Sequence, residues 1–158
     1  MKILISYYSR TGNTKKMAEA IARGVRDEGA TCDLKEITDV EIDQLLEYEA
    51  LIFGAPTYYG SMAAEMKKLL DDSVKHHGKL AGRVGGAFTS SGMIGGGGET
   101  TILSILEALM IHGMIVIGDA TIQHYGPLAI GEPDAKVHKM CIEYGQKIAR
   151  LTKKVFGN

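Results

Sequence analysis

Short apolar runs alternate with helix-length amphipathic segments from one end of the chain to the other. That alternation restricts the fold more than any other feature of the sequence. Lys2–Tyr7 reads as a buried strand, and Met17, Ala18, Ile21, Ala22 and Val25 then mark one helical face that Gly29 closes. Thr31–Ile37 is a second strand with a short helix after it around Glu41–Leu46, and Ala50–Phe53 is a compact third strand ending in Gly-Ala-Pro. Met62, Met66, Leu69 and Leu70 form the next helix face, and Val84–Thr89 is a fourth strand thinned by glycine. The helix Glu99–His112 turns Ile102, Leu103, Leu106, Leu109 and Met110 inward, and Met114–Ile117 is the fifth strand. The last helix starts after Pro133, with Val137, Cys141, Tyr144, Ile148, Leu151 and Val155 along one stripe. Continuous apolar strands joined by helices imply a parallel sheet covered on both faces. Right-handed crossovers then make a five-stranded, doubly wound α/β sheet of order 2-1-3-4-5 the natural arrangement. No repeat or linker interrupts the pattern, so residues 1–158 read as one domain, large enough to bury a core without staples.

In such a sheet ligands bind beyond the carboxyl ends of the strands, at the switch point between strands 1 and 3. Ser9-Arg10-Thr11-Gly12-Asn13-Thr14 stands there, between the first strand and a helix opening near Lys15. Free amides of a first helical turn and the helix dipole favour an anion, and hydroxyls and an amide side chain supply further donors. The loop lacks the Gly-Lys-Ser/Thr ending of a nucleotide P-loop and is not G-x-G-x-x-G, which leaves a terminal phosphate monoester as its ligand. The plainer alternative is that such loops also cap ordinary helices. After strand 3 come Ala55-Pro56-Thr57-Tyr58-Tyr59-Gly60, a stiffened segment with two aromatic faces and a glycine free to turn its peptide. After strand 4 come Thr89-Ser90-Ser91-Gly92-Met93-Ile94-Gly95-Gly96-Gly97-Gly98, rich in hydroxyls and exposed amides. Phosphate donors, aromatic faces and backbone donors together describe a site for a phosphorylated planar heterocycle.

Composition removes other classes. A net charge of −1 without a basic run argues against a nucleic-acid surface. No apolar stretch reaches membrane-spanning length, and Met1–Tyr8 has the pattern of a strand rather than of a signal peptide. Cys32 and Cys141 have neither redox nor metal spacing, so a reduced, cytoplasmic setting is expected, and His76, His77, His112, His124 and His138 outline no metal site. A response-regulator receiver needs acidic residues where this chain has Tyr8-Ser9 and Gly54-Ala55. Ser90 and Ser91 lie in no G-x-S-x-G elbow and no pattern places His and Asp partners for them, which argues against a serine hydrolase.

Ser9–Thr14 after the first strand resembles the FMN-phosphate signature of flavodoxin-like proteins. The segments Phe53–Ala63, Phe88–Gly92, Gly97-Gly98-Glu99-Thr100-Thr101 and His112-Gly113-Met114 are similar to the WrbA-type NAD(P)H:quinone oxidoreductases, and the similarity runs from Met1 to about Gly126. The resemblance implies non-covalent FMN, its phosphate held by Ser9, Arg10, Thr11, Gly12, Asn13 and Thr14. It implies that Pro56, Thr57, Tyr58, Tyr59 and Gly60 meet the flavin, with Thr89, Ser90, Ser91, Gly92 and Gly95 at the ring edge and ribityl side. His112 matches a family histidine associated with the flavin, although its position before strand 5 puts it at the wrong end of its own sheet. NAD(P)H is the implied donor, a quinone the acceptor, and a homo-oligomer, dimer or tetramer, the implied assembly. No catalytic side chain is expected, because the chemistry is flavin-centred. Two features depart from the family. Thr38–Glu49 is shorter than the family insertion linked to tetramers, and Lys75-His76-His77-Gly78 stands where those enzymes place a tryptophan. The alternative is an electron carrier of the flavodoxin type. Against it, the third loop has no aromatic between Thr89 and Gly98, and Glu65 and Glu99 are the only carboxylates of loops 2 and 3.

Overall fold

The computed structural model describes residues 1–157. Its principal elements are β1 (Lys2–Tyr7), α1 (Asn13–Asp27), β2 (Thr31–Glu36), β3 (Ala50–Tyr58), β4 (Ser61–Met62), α2 (Ala64–Asp72), β5 (Val84–Ser91), α3 (Gly98–Ile111), β6 (Ile115–Val116), β7 (Leu128–Ile130) and α4 (Ala135–Phe156). The sheet order is β2-β1-β3-β5-β6, with β4 paired to β3 and β7 to β5. This is the doubly wound order expected from the alternation, with two refinements. The fifth strand comes in two pieces, since Ile115–Val116 pairs with the start of β5 and Leu128–Ile130 with its end. The segment between them leaves the sheet and is tied down by Asp119, which accepts hydrogen bonds from the Thr121 hydroxyl and amide. β3 also outruns the expected Ala50–Phe53, because Thr57 and Tyr58 pair back antiparallel with Met62 and Ser61.

Alternation along β1 explains the two-sided core. Ile3 and Ile5 face one way, onto Met17, Ile21 and Val25 of α1 and Cys141 and Ile148 of α4. Leu4 faces the other way, with Leu51 and Phe53 of β3, onto Met66 of α2 and Ile102, Ile105 and Leu109 of α3. α1 and α4 meet backbone to backbone: a Cβ on Gly24 would lie 2.0 Å from the Ile142 carbonyl oxygen, and one on Gly145 would lie 2.1 Å from that of Ile21. Two residues expected on inner faces, Met110 and Val155, are exposed, and Met62 packs against the core from β4 rather than from a helix. The short β2–β3 connection folds as two 3₁₀ turns, Ile37–Asp39 and Ile42–Glu47. Asp43 pins it by pairing with Lys75 and by accepting from His76 Nε2 at 2.9 Å.

Candidate functional site

Strand register brings the three expected loops together at the carboxyl end of the sheet. Tyr7 lies opposite Gly54, Gly54 opposite Phe88 and Pro56 opposite Ser90. The 9–12 turn, the Tyr58–Ser61 hairpin and the 92–97 loop therefore emerge side by side.

Loop 1 opens α1 at Asn13. Gly12 precedes it at φ 92° and supplies no side-chain cap, the first turn has no acidic residue, and nothing lies within 4 Å of where a Gly12 Cβ would stand. A helix start in this state keeps unsatisfied amides and the positive end of its dipole facing open space. Ser9 shapes the turn. Its Oγ accepts from the amides of Gly12 (3.1 Å) and Lys15 (3.3 Å), which leaves its own proton free to donate outward. Arg10 and Thr11 are exposed, and the Arg10 guanidinium lies 5.8 Å from the Tyr58 ring centroid, within cation–π range. Thr14 behaves differently from its neighbours. It is buried, and its hydroxyl pairs with Ser90 Oγ at 2.9 Å, tying loop 1 to β5.

The same inward use of hydroxyls runs through β5. Thr89 is fully buried and donates to the Ala55 carbonyl at 2.6 Å, so the Thr57 hydroxyl, 3.1 Å away, donates to Thr89. Ser91 donates to the Met93 carbonyl. Thr14, Thr89, Ser90 and Ser91, read from sequence as ligand donors, all have hydroxyls engaged within the protein. They hold the loops in register, and of the Thr14–Ser90 pair one hydroxyl proton is left over. Gly92 and Gly95 are exposed, with nothing within 4 Å of a Cβ at either.

Loop 2 is a two-residue hairpin with Tyr59 (φ 49°) and Gly60 (φ 83°) both in the left-handed region. That is the backbone of a type I′ turn, which Asn-Gly usually supplies and a tyrosine adopts only under strain. Tyr59 is fully exposed, whereas Pro56 is buried and Tyr58 half-buried. Tyr8 comes in beneath from β1, its phenol pKa raised above the ordinary value chiefly by a hydrogen bond to Glu65.

The other singled-out histidines lie away from these loops. His112 ends α3, while Gly97 and the crevice lie at its start, about 20 Å away along 14 residues at 1.5 Å each. It is buried, and its Nε2–H donates to Ser73 Oγ at 2.8 Å, since that hydroxyl donates to the Leu70 carbonyl. Burial, and then the neighbouring His77, lower its pKa. Beside it, a cavity of about 480 Å³ between α2 and α3 is lined by Met62, Leu70, Val74, Ile111 and His77, and by none of the expected ligand residues. His124 Nδ1 is 2.7 Å from the Asp119 carbonyl, in the segment between β6 and β7. Sequence reading missed two participants. β7 runs beside Thr89–Ser91, and Thr100 reaches Gly60 from α3.

Residues 5–108 match the flavodoxin family. The chain belongs to that family. A flavodoxin of Aquifex aeolicus is 38% identical over 157 residues, covering 94% of this chain and 85% of its own. A protein of Archaeoglobus fulgidus named NAD(P)H dehydrogenase (quinone) is 33% identical over 191 aligned positions, covering 98% of each. Among solved structures, a WrbA-like flavodoxin from Agrobacterium tumefaciens superposes with a TM-score of 0.84 at 28% identity, covering 97% of this chain and 98% of its own. Relatives bearing the flavodoxin and the quinone-dehydrogenase names thus match this flavodoxin-family chain at similar identity. Among the described residues, no helix is long and apolar enough to cross a membrane.

Proposed function

We propose that the chain is an FMN-dependent oxidoreductase that moves two electrons from NAD(P)H to a quinone-type acceptor. The observation that carries the cofactor assignment is the unacidified first turn of α1 behind Gly12, which Ser9 caps only at the Lys15 amide and which opens on free space at Gly12. The residues present fit a terminal phosphate. Ser9, Arg10, Thr11, Gly12 and Asn13 would hold it through amides, the hydroxyl protons of Ser9 and Thr11 and one cation, with Thr14 locking the turn from behind. Pro56, Thr57, Tyr58, Tyr59 and Gly60 would meet the ring from one side, and the backbone of Ser91, Gly92 and Gly95 from its edge. Thr89 and Ser90 act by fixing the strand ends. When bound, FMN supplies reversible two-electron transfer, so the protein contributes binding, orientation and electronics rather than an acid–base pair.

The enzyme reading is favoured over a carrier by the third loop. It offers Met93 and Ile94, both exposed, in place of an aromatic lid, which leaves one face of the crevice accessible to a nicotinamide and then to a quinone. The quinone-dehydrogenase relatives support the same reading. The carrier reading has one observation of its own, since Tyr59, Met93 and Ile94 form an apolar rim of the kind a partner protein covers. Anaerobic mixing of the FMN-loaded protein with NADH or NADPH separates the two. Rapid loss of flavin absorbance, reversed by a quinone, supports the enzyme; inertness to both nicotinamides makes it a carrier.

A further inference from the structure

We propose that the outer face of α1 and α4 docks on an anionic membrane surface, held by cations without carboxylate partners and by Val155 and Phe156. The docking is peripheral and does not depend on what occupies the crevice.

The net charge of −1 conceals a separation of charge across the sheet. α1 and α4 hold ten of the chain's eighteen Lys and Arg but only three of its nineteen Asp and Glu. On the other side, residues 36–49 hold six carboxylates and no Lys or Arg, and their Ile37, Leu45 and Tyr48 pack into the core beneath α2 and α3. Ion pairs occupy four of the ten cations, Lys16 with Glu132, Lys139 with Glu143, Lys147 with Asp119 and Arg150 with Glu28. Lys15, Arg23, Arg26, Lys136, Lys153 and Lys154 are exposed and have no carboxylate partner among the described residues. Glu19 and Asp27 are the only acids of the two helices left unpaired in the same way.

Distance keeps the two charge regions apart. At about 10 Å per layer, the outer surfaces of the two helix layers are roughly 30 Å from each other. Exposed charges are screened beyond about 8 Å at physiological salt. An anionic surface approaching α1 and α4 therefore meets a basic face, whatever the sum over the chain.

The shape of the face selects the partner. Gly24 and Gly145 let α1 and α4 meet backbone to backbone, so a closed seam rather than a groove lies between the two rows of cations. A bilayer presents a plane of mobile headgroups that needs no matching register. The last turn of α4 adds Val155 and Phe156, 41% and 43% exposed, directly after Lys153 and Lys154. Lysines that meet headgroups beside apolar side chains that enter the acyl boundary are the combination an interfacial helix uses. An acidic polypeptide would match the charge and leave Val155 and Phe156 unused.

Co-sedimentation of the full chain with vesicles tests this. Vesicles of phosphatidylcholine alone are compared with vesicles of equal parts phosphatidylcholine and phosphatidylglycerol, at low and at high salt. Wild type should partition to the mixed vesicles about tenfold more strongly or better, and should lose most of that preference at high salt. Lys136→Gln, Lys153→Gln and Lys154→Gln combined should lower it at least tenfold, since each basic residue near an anionic surface contributes about fivefold. Lys67→Gln, Lys68→Gln and Lys79→Gln combined remove the same charge away from this face and should change partitioning less than about twofold. Val155→Ser with Phe156→Ser should weaken it about three- to tenfold and leave its salt response unchanged. All three variants should melt near wild type, because the side chains replaced are exposed. Failure to bind the mixed vesicles, equal binding to both vesicle types, or an equal loss in the two lysine triples overturns the proposal. Retention on polyglutamate without binding to mixed vesicles also overturns it, and makes the face a docking surface for an acidic protein.

Discussion

Two helices begin at the crevice in nearly the same way and end up in opposite circumstances. α1 and α3 each follow a left-handed glycine, Gly12 at φ 92° and Gly97 at φ 99°, and neither glycine supplies a side-chain cap. Around Gly12 the space is open and the first turn has no carboxylate. Gly97 is pressed against Gly60, and its turn contains Glu99. The same local geometry thus leaves one helix start open and makes the other a backbone support. A helix N-terminus is defined as much by what faces it as by its own dipole.

Placing a methyl group at each glycine should separate the two most sharply. Gly97→Ala drives a Cβ into the Gly60 backbone and should cost about 2–4 kcal/mol, as severe overpacking does. Gly12→Ala meets no atoms and should cost only the left-handed penalty, about 1–2 kcal/mol. Chemical denaturation of the two variants checks this. Equal losses would mean that Gly97 is not a contact position.

Charge is the next lever. Asn13→Asp places a carboxylate in the first turn of α1 and should weaken FMN by about five-fold or more while leaving riboflavin nearly unchanged, since two like charges about 4 Å apart cost roughly 1–4 kcal/mol between bulk-water and surface dielectrics. Glu99→Gln, the corresponding change on α3, should alter FMN affinity less than two-fold. Parallel fluorescence titrations read both. Ser9→Ala should act more weakly, lowering FMN affinity about three- to tenfold through one lost donor, roughly 1 kcal/mol. Thr14→Ala belongs to a different test. Its hydroxyl is bonded to Ser90, so the expected result is a lower melting temperature, with FMN affinity falling only as the loops loosen.

The smallest effect lies at the far end of α3. The pKa of His112 is lowered in the folded protein, so the unfolded chain takes up its proton first as pH falls. Its contribution to stability is complete above the ordinary histidine value of about 6.5 and is lost as the pH drops through that value toward the folded one. Between pH 7 and 5 the stability difference between wild type and His112→Asn should therefore shift against wild type. A difference independent of pH would remove His112 from the account.

Much of the fold could be read from periodicity. Met17, Ala18, Ile21, Ala22 and Val25 are all buried, as their spacing requires. The strand order followed from alternation and handedness alone. Three places resisted for identifiable reasons. Tyr59 in a type I′ position hides a hairpin, because its residue type contradicts its backbone, so β3 was read too short. Leu128–Ile130 is too brief to register as a strand until β5 lies beside it. Met110 sits on a helix apolar over most of its surface, where spacing cannot decide which side faces inward. At the site, sequence identified which loops meet but not where their hydroxyls point. Whether Thr89 or Ser9 has a proton to offer a ligand depends on the carbonyls and amides beside each, and those are set by strand register.

The central claim is that the open start of α1 takes a terminal phosphate. Calorimetric titration of the apoprotein with FMN and with riboflavin tests it directly. The account predicts that FMN binds at least a hundredfold more tightly, consistent with two or more charge-assisted donors at about 1.5–3 kcal/mol each, and that Asn13→Asp reduces that difference by about five-fold or more. Equal affinity for FMN and riboflavin would contradict it.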